Sequence, residues 1–234
     1  MDNSKESRDE INWSNIMKIL LIGIAFIPGL ILAQYPEEGD VYFKGIAGYG
    51  FFDERVFTGI EKIVDSGKPQ KVYIRPGGGL NLSIGGGVHI TQGLRAEVDF
   101  SYQSSGDNFE NGEAIFRKYP LSVSILQGFY LYEVVNIYGG IGGSLIFGSK
   151  YIDQIEDTTT EINYKITYAV LGKVGFRYQP QSNRAFFFGE ASYFFGKELN
   201  PADGELDGIP ELSNKFANLG INGLYIGAGL GYYY

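Results

Sequence analysis

Residues 94–103 read Leu94-Arg95-Ala96-Glu97-Val98-Asp99-Phe100-Ser101-Tyr102-Gln103, five apolar side chains alternating without a break with five charged or polar ones. Successive side chains leave a β-strand on opposite sides, so a period of two marks a strand with one apolar and one polar face. The pattern recurs over residues 164–179. There Tyr164, Ile166, Tyr168, Val170, Gly172, Val174, Phe176 and Tyr178 oppose Lys165, Thr167, Ala169, Leu171, Lys173, Gly175, Arg177 and Gln179. At the C-terminus Leu224, Ile226, Ala228, Leu230, Tyr232 and Tyr234 alternate with Gly223, Tyr225, Gly227, Gly229, Gly231 and Tyr233.

Extending this reading from Gln34 onward gives eight strands, over 40–52, 73–90, 94–104, 119–130, 135–150, 164–179, 185–195 and 221–234. Gln127 interrupts the apolar face of Leu121, Val123 and Ile125, which predicts a bulge in the fourth. The connections alternate in length. Those over 53–72, 105–118, 151–163 and 196–220 are long, and those over 91–93, 131–134 and 180–184 are short. Short periplasmic turns, long external loops and an even strand count are the signature of an outer-membrane barrel. The predicted class is all-β, an eight-stranded antiparallel up-and-down transmembrane β-barrel with four long external loops. A soluble eight-stranded barrel with its apolar face turned inward is the structural alternative. Tyr49, Phe51, Tyr102, Tyr130, Tyr151, Tyr164, Tyr178, Phe195, Tyr232 and Tyr234 fall near strand ends and favour the membrane form, where aromatics girdle both interfaces.

Composition excludes several functions. The absence of cysteine removes disulfides, thiolate metal sites, cysteine nucleophiles and a lipid-anchored N-terminal cysteine. A net charge of −8 without a basic patch argues against nucleic acid. A mean hydropathy of −0.08 is too low for a bundle of transmembrane helices.

Met17-Lys18, the apolar run Ile19 to Ile27 and the small-residue ending at Ala33 read as a secretory signal peptide over 17–33, with Gln34 first after cleavage. Residues 1–16 carry Asp2, Glu6, Asp9 and Glu10 against Lys5 and Arg8, the wrong sign for the start of a signal peptide. They are read as an extension ahead of a start at Met17, which would remove Trp13 from the mature protein. The alternative is an acidic tail before an uncleaved anchor. The barrel domain is expected over 34–234.

The terminal strand, Gly223-Leu224-Tyr225-Ile226-Gly227-Ala228-Gly229-Leu230-Gly231-Tyr232-Tyr233-Tyr234, resembles that of the small eight-stranded outer-membrane barrels of Gram-negative bacteria, the opacity-protein and attachment-invasion type. That resemblance implies that Leu230, Tyr232 and Tyr234 form the signal read by the outer-membrane insertion machinery, with Tyr234 where phenylalanine is commoner. It also implies an outer-membrane location, contact with lipid and lipopolysaccharide, and adhesion or another surface interaction as the role. A monomer is expected.

If the apolar faces meet lipid, the lumen gathers Lys44, Arg75, Arg95, Glu97, Asp99, Lys165, Lys173, Arg177 and Glu190, together with Asn81, Ser83, Gln103, Ser122, Ser124 and Ser192. Buried charges must be paired, so a salt-bridge network around Glu97, Asp99 and Glu190 is expected to close the lumen. A narrow hydrated path for small solutes is the alternative. No enzymatic activity, cofactor or metal is expected. Lipid A-modifying barrels resemble this one in size but use a histidine and a serine near the outer leaflet, whereas the single histidine, His89, sits by a periplasmic turn. Asp203-Gly204-Glu205-Leu206-Asp207-Gly208 imitates the start of a calcium loop but has Asn214 at the twelfth position, and with Asp153, Glu156, Asp157 and Glu161 it reads as solvated acidic loop. Gly139-Gly140-Ile141-Gly142-Gly143 is followed by strand, not helix, and is no dinucleotide turn.

Overall fold

In a closed barrel each side chain points to lipid or to the lumen, and the chain sorts its residues between them with few exceptions. The computed structural model describes residues 36–51, 55–63, 69–109, 112–131, 134–155, 158–180, 184–203 and 216–234. The extension over 1–16, the signal peptide over 17–33, Glu156, Asp157 and the calcium-like stretch beyond Asp203 lie outside them.

Eleven strands are present: β1 (Val41–Phe51), β2 (Val56–Ile63), β3 (Pro69–Ile74), β4 (Gly79–His89), β5 (Leu94–Phe109), β6 (Gly112–Leu131), β7 (Val135–Ile155), β8 (Thr158–Asn163), β9 (Thr167–Tyr178), β10 (Ala185–Gly196) and β11 (Gly223–Tyr233). Eight of them close a ring in the order β1-β4-β5-β6-β7-β9-β10-β11, every pair antiparallel and β11 returning to β1. Closure leaves no sheet edge, as a lipid-immersed sheet requires. Ile141 is 73% exposed and Ile84 68%, while Glu97 between them in height is 1% exposed, so the apolar face is outside. The soluble alternative is thereby excluded.

The structure differs from the sequence reading in the long connections, which are largely ordered. The first carries a hairpin, β2–β3, and the expected strand over 73–90 breaks at Pro76-Gly77-Gly78, where proline cannot donate to the ladder. Strands β5 and β6 run on to Phe109 and Gly112, and β7 continues to Ile155 and pairs with β8. Gln127 makes no bulge: it pairs with Leu94 and Gly139 and is exposed at the short-turn rim. The irregularity lies higher, opposite Arg117 and Tyr119, where Gly148 adopts φ +58° as the extra residue of β7.

Inner-face glycines make room for aromatic rings. A Cβ on Gly231 would meet the Phe186 ring, and one on Gly229 would lie 2.7 Å from Cζ of Phe188. We expect Gly231→Ala to lower the urea-unfolding free energy of the folded barrel by about 1–3 kcal/mol through overpacking. The added variant Phe186→Leu should restore part of it, and strictly additive losses would show that the ring is not the obstacle.

Candidate functional site: a closed lumen under an apolar cap

Charge enters the lumen on β1, β5, β9 and β10, where Lys44, Arg95, Glu97, Asp99, Lys173, Arg177 and Glu190 occupy inward positions, as residues that lipid would not tolerate outside must. Glu97 on β5 is the hub. Its carboxylate accepts from the Tyr42 hydroxyl, from Lys44 Nζ at 2.5 Å and from Arg95 Nε at 3.1 Å, with Lys173 Nζ at 3.5 Å and Arg177 Nη2 at 3.8 Å. Lys44 also lies 3.1 Å from Asp99 and 3.7 Å from Glu190, and Lys173 pairs with both the same carboxylates. The Tyr138 hydroxyl donates to Glu190 at 3.1 Å. Gly85 and Gly87 face this cluster from β4, where a side chain would collide with Asp99 and Tyr42.

Towards the short turns the cluster is sealed by rings. The Arg177 guanidinium lies over Phe186 at 4.1 Å and Tyr42 at 4.4 Å and donates to the Tyr233 hydroxyl, while Arg95 lies over Tyr138 at 4.1 Å. Such cation–π contacts help to replace the water that a buried guanidinium has lost. His89 belongs to this layer: its side chain is buried, 3.1 Å from the Tyr233 hydroxyl, not simply polar at a turn. Above the charges lies a layer of hydroxyls and amides, in which Ser122 donates to Ser144 at 3.0 Å and Gln103 to Asn81 at 3.4 Å. The cavity between the two layers holds about 20 Å³, room for about one water molecule.

The sequence reading missed the far end of the lumen, which is apolar. Val72 and Ile74 of β3, Phe116 of β6, Tyr151 of β7, Ile162 of β8 and Leu199, Phe216 and Leu219 of the fourth long connection pack into one buried cluster with Leu171, Phe194 and Tyr225 of the barrel wall. Tyr151 stacks on Phe216 with ring centroids 4.6 Å apart. Backbone bonds between Leu199 and Leu219 fasten the fourth connection over the opening. Tyr151 and Tyr164 therefore belong to this cap and not to an interfacial girdle. Burial at its edge raises the Asp153 carboxyl above the usual carboxylate range.

Seven of the nine expected lumen charges come together: Lys44, Arg95, Glu97, Asp99, Lys173, Arg177 and Glu190. Arg75 and Lys165 do not, and both are corrected. Arg75 lies in the break after β3, where the inward parity has slipped by one residue, and its side chain lines an external groove. Lys165 precedes β9, bonds through its backbone N–H to Asn200 and pairs with the exposed Asp203 at 2.5 Å. Leu230 and Tyr232 point outward along β11, and Tyr234, just beyond its end, is exposed. Lys118 was not anticipated as a lumen charge, yet it is buried beside the Tyr225 ring.

No protein-family model and no curated protein matches the sequence. Solved structures do match. Neisserial surface protein A shares 16% identity over 83% of this chain and 99% of its own, with a TM-score of 0.51. The outer membrane protein OprG from Pseudomonas aeruginosa shares 15% over 86% and 99%, with a TM-score of 0.56. The chain has the fold of the small eight-stranded outer-membrane barrels. In such a barrel the long-loop end is external and the short turns periplasmic, so the apolar cap faces outward from the cell and His89 inward.

Removing the hub carboxylate would leave Arg95 and Arg177 without a carboxylate partner in the buried lumen, while Lys44 and Lys173 would keep Asp99 and Glu190. Glu97→Gln is expected to lower the unfolding free energy in urea by about 3–5 kcal/mol, against little change for Ser124→Ala at the neighbouring position. Equal midpoints for the two variants would show that Glu97 holds nothing together.

Proposed function

We propose that the protein is a surface-exposed outer-membrane scaffold with a closed lumen, acting by contact of its long-loop end with lipopolysaccharide or a partner, and not by catalysis or transport. The observation that carries this reading is the double closure of the lumen. An ionic layer fills it at mid-height and an apolar cap built from the long connections covers its external end, leaving a cavity of about 20 Å³. A pore for even small solutes requires a continuous hydrated path. Both layers would have to open together.

Ring closure supports a monomer, because no strand of the eight-membered ring is left with an unpaired edge at membrane height to join a second barrel. The outward Leu230 and Tyr232 on the last strand and the exposed Tyr234 just beyond it support the reading of this end as the signal for the insertion machinery. Among the described residues no cluster of histidine, aspartate or glutamate is arranged to hold a metal ion, and His89 lies at the periplasmic end.

Planar-bilayer recording tests the proposal. The purified, folded barrel is expected to give no reproducible unitary conductance, and discrete steps from the native protein would favour the channel reading. Release of fatty acid from lipid A by the same preparation would revive the enzymatic one.

A further inference from the structure

Three inward side chains stand side by side where the ring closes on itself at its periplasmic end: His89, the last residue of β4, Tyr42 of β1 and Tyr233, the last residue of β11. Tyr42 is opposite Tyr233 in the ladder that joins the first strand to the last. Its ring centroid lies 5.5 Å from that of Tyr233 and 5.8 Å from that of the imidazole. His89 is the single histidine of the chain and is 2% exposed. Its Nε2 lies 3.1 Å from the Tyr233 hydroxyl, a contact that ties β4 to β11 across the intervening β1.

The neighbours of Nε2 decide which state of the ring fits. Arg177 Nη1 donates to the Tyr233 hydroxyl and lies 3.5 Å from His89 Nε2. A guanidinium can only donate, and the hydroxyl that accepts from it has its own proton left to give. Nε2 is therefore the acceptor that ends a chain from Arg177 through Tyr233, which requires a neutral imidazole with its proton on Nδ1. A proton on Nε2 would remove that acceptor and turn an N–H towards the guanidinium. The surroundings do not receive such a charge. Arg177 of β9 and Arg95 of β5, the register partner of His89, are cations, and Phe186 of β10 brings no charge. Asp40, ahead of β1, accepts from the Glu37 N–H at 2.7 Å, and Glu97 already accepts from Tyr42, Lys44 and Arg95. A buried charge without a partner is costly, so the structure around a protonated His89 has to give way.

We propose that His89 is an acid-sensitive latch on the periplasmic end of the barrel seam. Neutral, it holds β4, β1 and β11 together beneath the ionic layer. Protonated, it releases the Tyr233 hydroxyl and loosens the seam, so that water reaches the ionic layer from the periplasmic side. The rings of this layer, Tyr42, Phe186, Phe188 and Tyr233, form a cluster separate from the external cap, which stays shut. Histidine suits the task because it exchanges its proton within the range over which an aqueous compartment changes pH. The latch does not depend on the scaffold reading.

Imidazole nitrogen NMR of the untagged, folded barrel in lipid nanodiscs reads the latch directly, since one histidine gives one pair of ring signals. It is followed from about pH 7.5 to about pH 4.5 together with backbone hydrogen exchange, expressed as protection relative to the intrinsic rate at each pH. At the upper end the proton is expected on Nδ1. As Nε2 takes up a proton, the amides of His89, Tyr233 and Tyr234, which donate to Asp40, Arg184 and Val41, should lose protection about tenfold, the effect of one proton over one pH unit. The amides of Leu199 and Leu219 in the cap should keep theirs. His89→Gln retains an acceptor for Tyr233 but takes up no proton, and its seam should stay protected throughout. Should that variant fail to fold, the native titration still decides. A proton on Nε2 at neutral pH, protonation that leaves the seam amides protected, loss of protection in cap and seam alike, or the same acid response in His89→Gln would each overturn the proposal. A barrel that conducts at neutral pH and still shows the coupled titration would remove the scaffold reading and leave the latch standing.

Discussion

The carboxylate of Glu97 sits where water cannot reach and five side chains converge on it: Tyr42 and Lys44 from β1, Arg95 from its own strand, and Lys173 and Arg177 from β9. The rest of the barrel depends on that convergence. An exterior in lipid can carry no charge, so polar residues have only the lumen, and eight strands leave a lumen just wide enough for side chains. Opposite signs must therefore meet. Lys44 and Lys173 lie between Glu97, Asp99 and Glu190, while Arg95 and Arg177 rest on the faces of Tyr138, Phe186 and Tyr42, and Lys118, higher up, lies by the Tyr225 ring. These contacts cross the barrel from one wall to the other and fix the strands against each other across the lumen as well as along the ladder.

Alternation made the barrel legible in the sequence, and slips in alternation hid the cap. Where a strand runs unbroken, as over Leu94 to Tyr102, the residue on each face could be named from parity alone. Parity fails at an inserted residue, since a shift of one sends every later side chain to the opposite side. Gly148 is such a residue. Before it the even positions of β7, Ser144 and Ile146, face the lumen; after it the odd positions, Ser149 and Tyr151, do so. Pro76 to Gly78 have the same effect between Ile74 and Gly79, the latter at φ +86°. Read without these slips, Tyr151 belonged to a girdle and Arg75 to the lumen. The glycine with positive φ was the available signal in each case, but a glycine-rich chain offers 34 candidates, and its sequence does not say which of them turns the strand over.

The two closures differ in kind, which bears on how the external end can vary. The ionic layer is built from strand positions and is rigid in its geometry: Gly85 and Gly87 leave only the space that Asp99 and Tyr42 occupy. The cap is built from connections, held by apolar packing that has no preferred direction and tolerates exchange of one hydrophobic side chain for another of similar volume. A barrel of this design can change its external connections while its lumen stays sealed beneath them. That separation suits a scaffold better than a pore, in which the wall and the mouth must remain matched along one path.

The same separation explains why the acidic balance of the chain and its basic lumen coexist. Apart from Glu97, Asp99 and Glu190, which the lumen cations hold, described carboxylates such as Asp203 and Glu161 stay hydrated on exposed connections, each pairing with a lysine at the surface. Cations outnumber carboxylates inside the barrel, where aromatic faces can stand in for solvent. Arginine and lysine can reach along apolar surface with their aliphatic stems and place the charge beyond it, whereas the short stems of aspartate and glutamate cannot. The excess of cations over carboxylates in the lumen is in keeping with that asymmetry of side-chain length and does not follow the net charge of −8 that the sequence adds up to.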